Sequence, residues 1–186
     1  TWSGNHQLTG DVTIASGAKL IIEPGTTVIF PNGTYLDVRG NLCAGDRTCG
    51  ASGDASLANK ITFRWTDPAN DSEIGECKGM KQGSQEIQVE DASCFEGVLI
   101  RSSIDLSETG FRHITIDDAW GIPYYIDSIN RWRYGAMVID GASPTLTQMS
   151  FSNINTSSVL TTNLAQPIFV DGTYIAGNDQ KSGVGG

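Results

Sequence analysis

The chain has 186 residues and a mass of 19.9 kDa, which suits one domain or at most two small ones. Only 18% of the residues are charged, against a usual share of about 25%, and an abundance of Gly, Ser, Thr and Asn favours strands and tight turns over long helices. The 21 acidic and 12 basic side chains give a net charge of −9, so phosphate backbones and anionic membranes would repel the chain. We therefore expect neither a nucleic-acid partner nor direct membrane insertion, since no apolar run reaches the roughly 18 residues of a spanning helix.

Residues 12 to 39 repeat with a period of eight. Each octad holds an apolar triplet, and Gly17, Gly25 and Gly33 recur between the triplets, where glycine can supply the positive φ of a sharp corner. The first and third side chains of a triplet face the same side of a strand. Three strands and three corners make a turn of roughly 24 residues, so the octads predict a parallel β-helix in which each strand pairs with its equivalent one turn later. The side chains expected to face the interior are Val12, Ile14, Leu20, Ile22, Val28, Phe30, Leu36 and Val38.

Four cysteines fall into two close pairs along the chain, Cys43 with Cys49 and Cys77 with Cys94. Neither spacing matches the CxxC pairs of zinc or redox sites, so two local disulfides are predicted. Three connectivities are possible, and free thiols or a metal site are the alternatives. Because disulfides persist outside the cytosol, this pattern predicts an extracellular or cell-surface protein.

The second half of the chain repeats more loosely. Residues 111–118 align with residues 146–153, and residues 97–100 align with residues 136–139. Residues 97–100 and 136–139 are predicted to lie in one stack of strands, with residues 168–170 as the next strand of that stack. Residues 61–63 are predicted to precede this stack.

Two insertions interrupt the repeat. Residues 66–95 form a polar excursion that contains Cys77 and Cys94 and is too poor in apolar residues to be a domain. Residues 119–135 hold five aromatic side chains. Insertions of this kind leave one face of a solenoid and often form its binding surface.

Several short motifs occur along the chain, namely GDVTI at 10–14, GAKLIIEPGTTV at 17–28, LDVRG at 36–40, ITF at 61–63, GASPTL at 141–146 and FSN at 151–153. Together these motifs resemble right-handed parallel β-helix proteins of bacterial and archaeal cell surfaces, in the pectate-lyase-like superfamily. The resemblance implies an all-β, right-handed parallel β-helix of about five coils, with residues 1–186 as a single domain. Because the chain begins at Thr1 without an initiator Met, we expect it to be a fragment of a longer protein.

The same architecture carries adhesins, polysaccharide lyases, glycosidases and passive stalks, so function depends on the site. A lyase or glycosidase would need paired acids, or an acidic calcium site with a base. Asp117 and Asp118 are the only adjacent aspartates, and their alignment with Ser152 and Asn153 predicts a corner of the coil.

The remaining polar residues give no pattern for catalysis. His6 and His113 lack a recognisable nucleophile partner, and Arg101 and Arg112 are interpreted as solubilising charges on outer strand faces. The sequence predicts no cofactor: calcium takes loop carboxylates as ligands, but these loop acids show no alternating ligand pattern and are interpreted as solvated. The acids in question are Glu90, Asp91 and Glu96 in one group and Asp67 and Asp71 in the other.

The insertion at 119–135 is the predicted ligand site. Flat rings stack on sugar faces, and polar side chains beside them hydrogen-bond hydroxyl groups. The alternative is that Trp120, Tyr125 and Trp132 anchor the loop to the wall of the coil. The candidate ligand-binding residues are Trp120, Tyr124, Tyr125, Asp127, Asn130, Arg131, Trp132, Arg133 and Tyr134.

These observations predict a non-catalytic extracellular or cell-surface module for structural display and adhesion or glycan binding. The expected partners are a glycan or surface polysaccharide and neighbouring domains of the same protein. One alternative is a polysaccharide lyase or glycoside hydrolase of the β-helix type. Another is a passive stalk or assembly unit.

Overall fold

A computed structural model describes residues 1–65, 95–101, 109–127, 130–152, 154 and 156–172, and the backbone of residues 174–176. The predicted Cys77–Cys94 disulfide and residues 66–94 of the first insertion lie outside this part of the chain. The predicted Cys43–Cys49 disulfide is confirmed, with its Cα atoms 5.5 Å apart.

Short strands make up most of the described chain, together with a 3-10 turn at Arg47–Cys49. None of the helical structure described is long and apolar enough to cross a membrane. In chain order the strands are β1 Asn5–Gln7, β2 Val12–Ile14, β3 Lys19–Ile22, β4 Thr27–Phe30, β5 Tyr35–Val38, β6 Asn41–Ala44, β7 Ile61–Trp65, β8 Gly97–Arg101, β9 Gly110–Arg112, β10 Ile114–Asp117, β11 Ile122–Ile126, β12 Arg131–Asp140, β13 Thr145–Thr147, β14 Ser150–Ser152, β15 Ser157–Thr162, β16 Ile168–Val170 and β17 Tyr174–Ala176.

The strands form three sheets whose pairs are parallel, apart from one antiparallel pair. Sheet A has the order β3-β6-β9-β13-β16, and sheet B has the order β1-β4-β7-β10-β14-β17. Sheet C runs β2-β5-β8-β12-β15, and β11 pairs antiparallel with β12. Val12 lies opposite Leu36, so the first octad strand pairs with its equivalent one turn later as predicted. The all-β architecture with parallel sheets is thereby confirmed.

The core lies between the three sheets and contains the predicted interior side chains. Six of the eight are buried, and Val12 and Leu20 pack half-buried against the same cluster. Phe30 stacks on Phe95 with ring centroids 4.5 Å apart, which links two successive turns of the chain. Each fully buried side chain of this size stabilises the fold by about 1.5–3 kcal/mol.

The alignment of the two later repeats is confirmed by the strand register, but two strand placements are wrong. Phe111 lies opposite Leu146, and Val98 lies opposite Met137. Residues 61–63 belong to β7 in sheet B, because residues 45–60 carry the chain round a corner before that strand begins. Residues 168–170 form β16 in sheet A, and the place beside β12 is taken by β15, whose Ser and Thr residues disguise it in the sequence.

Glycine makes the early corners, and residues other than glycine make several of the later ones. Gly17, Gly25 and Gly33 have the expected positive φ angles of 79°, 81° and 63°. His113 and Gln148 take the same left-handed conformation at successive corners, with φ of 48° and 52°. Such a conformation costs roughly 1–2 kcal/mol per residue. The amide of His113 offsets part of that cost by donating to the Thr147 carbonyl oxygen at 2.9 Å.

Candidate functional site

The predicted loop at 119–135 is mainly a β-hairpin. β11 pairs antiparallel with the first half of β12, and the second half of β12 continues into sheet C. Alternating apolar side chains at Ile122, Tyr124 and Ile126 suit a strand that is covered on one face. At the tip Asn130 takes a φ of 51°, which its short polar side chain tolerates. The hairpin is therefore held to the body by a strand of the core sheet.

Strand pairing sorts the predicted site residues onto two faces. Residues directly opposite each other in an antiparallel pair share a face. Tyr125 lies opposite Trp132 and Pro123 lies opposite Tyr134, and we call this set the aromatic face. The opposite face, which we call the inner face, holds Ile122, Tyr124, Ile126, Arg131 and Arg133.

The aromatic face exposes two large rings to solvent. The side chain of Trp132 is 57% exposed and that of Tyr125 is 39% exposed. Their ring centroids are 5.3 Å apart and the ring planes are tilted by 59°, so the rings form an open notch. The Tyr125 hydroxyl donates a hydrogen bond to Oδ1 of Asn130, which fixes the ring against the hairpin tip. Tyr134 is half-buried, and that burial raises the pKa of its phenol.

The inner face anchors the hairpin to the outer side of sheet C. Ile122 and Tyr124 pack with Leu99 and Val138, which point away from the main core. Burial, reinforced by a hydrogen bond to Asp140, raises the pKa of Tyr124 to about 12. Tyr124 is therefore a neutral anchor at physiological pH.

The other predicted site residues lie apart from the aromatic face. Trp120 packs half-buried against the main core, and its carbonyl oxygen accepts from Oγ1 of Thr156 at 2.8 Å. Arg131 and Arg133 are exposed at positions of the inner face, and Asp127 is exposed at the tip. The structure thus brings Tyr125, Asn130, Trp132 and Tyr134 together and separates them from Trp120 and the arginines.

An ion-pair network around one buried carboxylate on the outer side of sheet C was not predicted from the sequence. The Asp37 carboxylate is buried and accepts hydrogen bonds from Nε of Arg39 at 2.7 Å and from Nε of Arg101 at 2.9 Å. The interpretation of Arg101 as a merely solubilising charge is therefore wrong. The i, i+2 spacing of Asp37 in β5 and Arg39 directly after it is the signal that could have indicated this pair.

Glu96 is also misinterpreted as a solvated loop acid, because its side chain is only 8% exposed. Its backbone donates to the Thr34 carbonyl oxygen and accepts from the Gly121 amide, which holds it between two other turns of the chain. Burial, with a smaller contribution from the charge of Asp11, raises the pKa of Glu96 to about 7.

The described acids do not assemble a metal site. Within the described ranges, no group of three or more His, Cys, Asp or Glu side chains is placed to hold a metal ion. The candidate calcium residues Asp67, Asp71, Glu90 and Asp91 lie outside those ranges.

The aspartate pair lies where a strand meets a corner, since Asp117 ends β10 and Asp118 follows it. Asp117 lies opposite Ser152, whose hydroxyl donates to it at 2.5 Å, and Asp118 is buried with a left-handed φ of 56°. This placement gives each carboxylate a different environment.

No family model, curated protein or solved structure matches the chain. The chemistry available at the hairpin is stacking by two exposed rings, with an amide and a phenolic hydroxyl beside them.

Proposed function

We propose that the chain is a non-catalytic module, displayed outside the cell or at its surface, that binds glycans through the aromatic face of the β11–β12 hairpin. The observation that carries this proposal is the exposure of Trp132 and Tyr125 side by side on a hairpin that the core sheet holds in place.

The fold belongs to the same proposal, as a right-handed parallel β-helix of about five coils. The chain visits sheets C, A and B in a repeating order, and each strand pairs with the strand one turn later. The right-handed sense of the proposed helix rests on the resemblance of the sequence motifs to pectate-lyase-like surface proteins. A rigid solenoid would present the hairpin at a fixed distance from neighbouring domains of the same protein.

Display outside the cell is supported by the Cys43–Cys49 disulfide. Thiols of cytosolic proteins are normally kept reduced, so a structural disulfide favours an oxidising compartment. The excess of acidic side chains also suits a soluble surface that does not adhere to nucleic acid.

Glycan binding is supported by the exposure of two large rings, because leaving apolar surface in water is energetically unfavourable. Large rings are usually buried when they only stabilise a fold, whereas an exposed pair on a protruding element suits recognition. The C–H face of a pyranose can stack on Trp132, while the Asn130 amide and the Tyr125 hydroxyl lie near enough to bind sugar hydroxyls.

The test begins with a glycan array probed with the intact protein and continues with calorimetry on the glycan that binds. Trp132→Ala should lower the affinity by about 1–3 kcal/mol, because stacking residues dominate such small sites. Its melting temperature should fall by only a few degrees, since the ring is largely exposed. Ile168→Ala is the matched control, because Ile168 is 58% exposed in β16 and should leave the affinity unchanged. A large loss of stability with unaltered binding would contradict the proposed site.

The same protein separates the two other classes of function. Incubation with pectins and alginates in the presence of calcium should release neither unsaturated ends nor reducing sugar. Turnover that Asp117→Asn abolishes would favour a lyase or hydrolase. An array without any bound glycan would favour a passive stalk.

A further inference from the structure

We infer that the aromatic face recognises a neutral saccharide with an apolar C–H face, and not a uronic or sulfated polysaccharide. This inference rests on the proposed glycan-binding function and names its ligand class. It follows from the way in which the hairpin distributes rings and charges.

Strand pairing puts the rings and the cations on opposite faces. Trp132 stands between Arg131 and Arg133 in the sequence, but neighbouring side chains on a strand point in opposite directions. Nη1 of Arg133 also donates to the Trp132 carbonyl oxygen at 3.3 Å, which draws this guanidinium onto its own backbone. A sugar stacked on the indole ring therefore has the strand between it and the two arginines.

The polar groups beside the rings are neutral. The Tyr125 hydroxyl and the Asn130 amide form one hydrogen-bonded pair at the hairpin tip. Within the described residues, the aromatic face contains only Pro123, Tyr125, Trp132 and Tyr134, so no cation is on it. The charged residue at the tip is Asp127, and the whole chain carries −9. A carboxylate or sulfate group on the ligand would thus have no cation to pair with on this face, whereas neutral hydroxyls would find a donor and an acceptor.

The notch between the rings limits the ligand to one stacked sugar. With the ring planes tilted by 59°, a pyranose that lies flat on Trp132 meets Tyr125 at an angle. The Tyr125 ring therefore contacts the edge of the same sugar. It does not form, together with Trp132, a flat surface on which the next sugar unit could stack. Binding by single pyranose units of a neutral chain fits this geometry.

The experiment titrates the intact protein with oligosaccharides of matched length, namely neutral β-linked gluco-, galacto- and manno-hexamers and the acidic hexamer of galacturonate. Each titration is made at low salt and at about 0.15 M salt, where charges are screened beyond about 8 Å. At least one neutral hexamer should bind with an affinity that salt does not change, and the acidic hexamer should bind at least roughly tenfold more weakly.

Variants assign the binding to a face. Trp132→Ala should weaken the neutral hexamer at least roughly tenfold, whereas the double variant Arg131→Gln/Arg133→Gln should leave its affinity within about twofold. The indole N–H resonance of Trp132 should shift on titration, which gives a readout on the unmodified protein.

Two outcomes would overturn the inference, and they are distinguishable. Tighter binding of galacturonate that salt weakens and the double arginine variant abolishes would show that the ligand is anionic, although the glycan-binding function would stand. If the protein binds neither the acidic hexamer nor any neutral hexamer, and no glycan on the array, then both the proposed function and this inference are wrong.

Discussion

The Glu96 carboxyl shows how strongly one buried group can couple the stability of this fold to pH. Its folded-state pKa is raised from 4.5 to about 7, mainly by burial and secondly by the charge of Asp11. The unfolded chain loses this proton at a lower pH than the folded chain. Between about pH 4.5 and pH 7 the folded state therefore binds more protons, and stability falls as the pH rises through that window.

Replacement of this carboxyl should remove the effect. The full penalty above pH 7 is about 3 kcal/mol as an upper bound, because one pKa unit corresponds to about 1.36 kcal/mol. Glu96→Gln keeps the size of the side chain and has no charge to bury, so it should be more stable than the wild type at pH 8 and nearly equal to it at pH 4. Urea denaturation of both proteins at the two pH values measures this difference. An unchanged gap between the two proteins across the window would contradict the prediction.

Residues of this kind were the hardest to predict from the sequence. The burial of Glu96 depends on Thr34 and Gly121, which are far from it along the chain. Asp37 is likewise paired with Arg101 of β8, which is 64 positions away along the chain. A local polar pattern contains no information on such long-range partners, so both carboxylates resemble ordinary surface acids.

At the scale of elements, the Cys43–Cys49 disulfide ties the end of β6 to the 3-10 turn at Arg47–Cys49. The Asp46 side chain caps this turn by accepting from the Thr48 amide at 2.8 Å, and Gly50 ends it with a φ of 115°. The two cysteines are separated by six positions. A closed loop of that size should stabilise the fold by about 2 kcal/mol in the chain-entropy model.

The double variant Cys43→Ala/Cys49→Ala should therefore lose about 2 kcal/mol of unfolding free energy. Chemical denaturation without reductant, followed by tryptophan fluorescence, gives the value. The single variant Thr48→Ala, which removes a hydroxyl bonded to Asp46 but keeps the disulfide, serves as the control and should lose less. A double variant as stable as the wild type would show that the cap alone fixes the turn.

The β11–β12 hairpin shows which part of the site the sequence could predict. Five aromatic side chains distinguish residues 119–135 from the repeat, and the segment is predicted to be a loop. Pro123 in particular disfavours a strand there, because proline cannot donate to a strand ladder. Pro123 is accommodated in β11, opposite Tyr134. The separation of rings from arginines depends on the register of this antiparallel pair, which a sequence without a recognisable two-residue turn does not define.

At the scale of the whole molecule, regularity decided what was predictable. The octads of residues 12–39 placed eight interior side chains correctly because strand and corner lengths stay constant there. The later turns differ in corner length, and β15 is rich in Ser and Thr, so residues 168–170 were assigned to the place beside β12 that β15 occupies. The repeating order of the strands therefore continues to β17, although the eight-residue repeat of the sequence is limited to residues 12–39.

The proposed β-helix should be most stable in the middle, because each turn of a solenoid contacts only its neighbours. Phe111, Leu146 and Phe169 occupy equivalent positions in successive strands of sheet A. Phe111 and Leu146 are buried, whereas Phe169 is 48% exposed on β16, the last strand of the described sheet. The two phenylalanines thus offer a matched pair that differs in burial.

Phe111→Ala should cost about 3–5 kcal/mol, since it removes a fully buried ring and leaves a cavity between two covered turns. Phe169→Ala should cost roughly half as much, because half of that ring is already in water and no closed cavity forms. For a chain of this size each kcal/mol corresponds to about 2–4 °C, so thermal unfolding resolves the two variants clearly. Equal losses would mean that Phe169 is covered in solution, either by chain beyond the described residues or by a second molecule. Repeating the melts at several protein concentrations separates those two causes, because only cover by a second molecule depends on concentration.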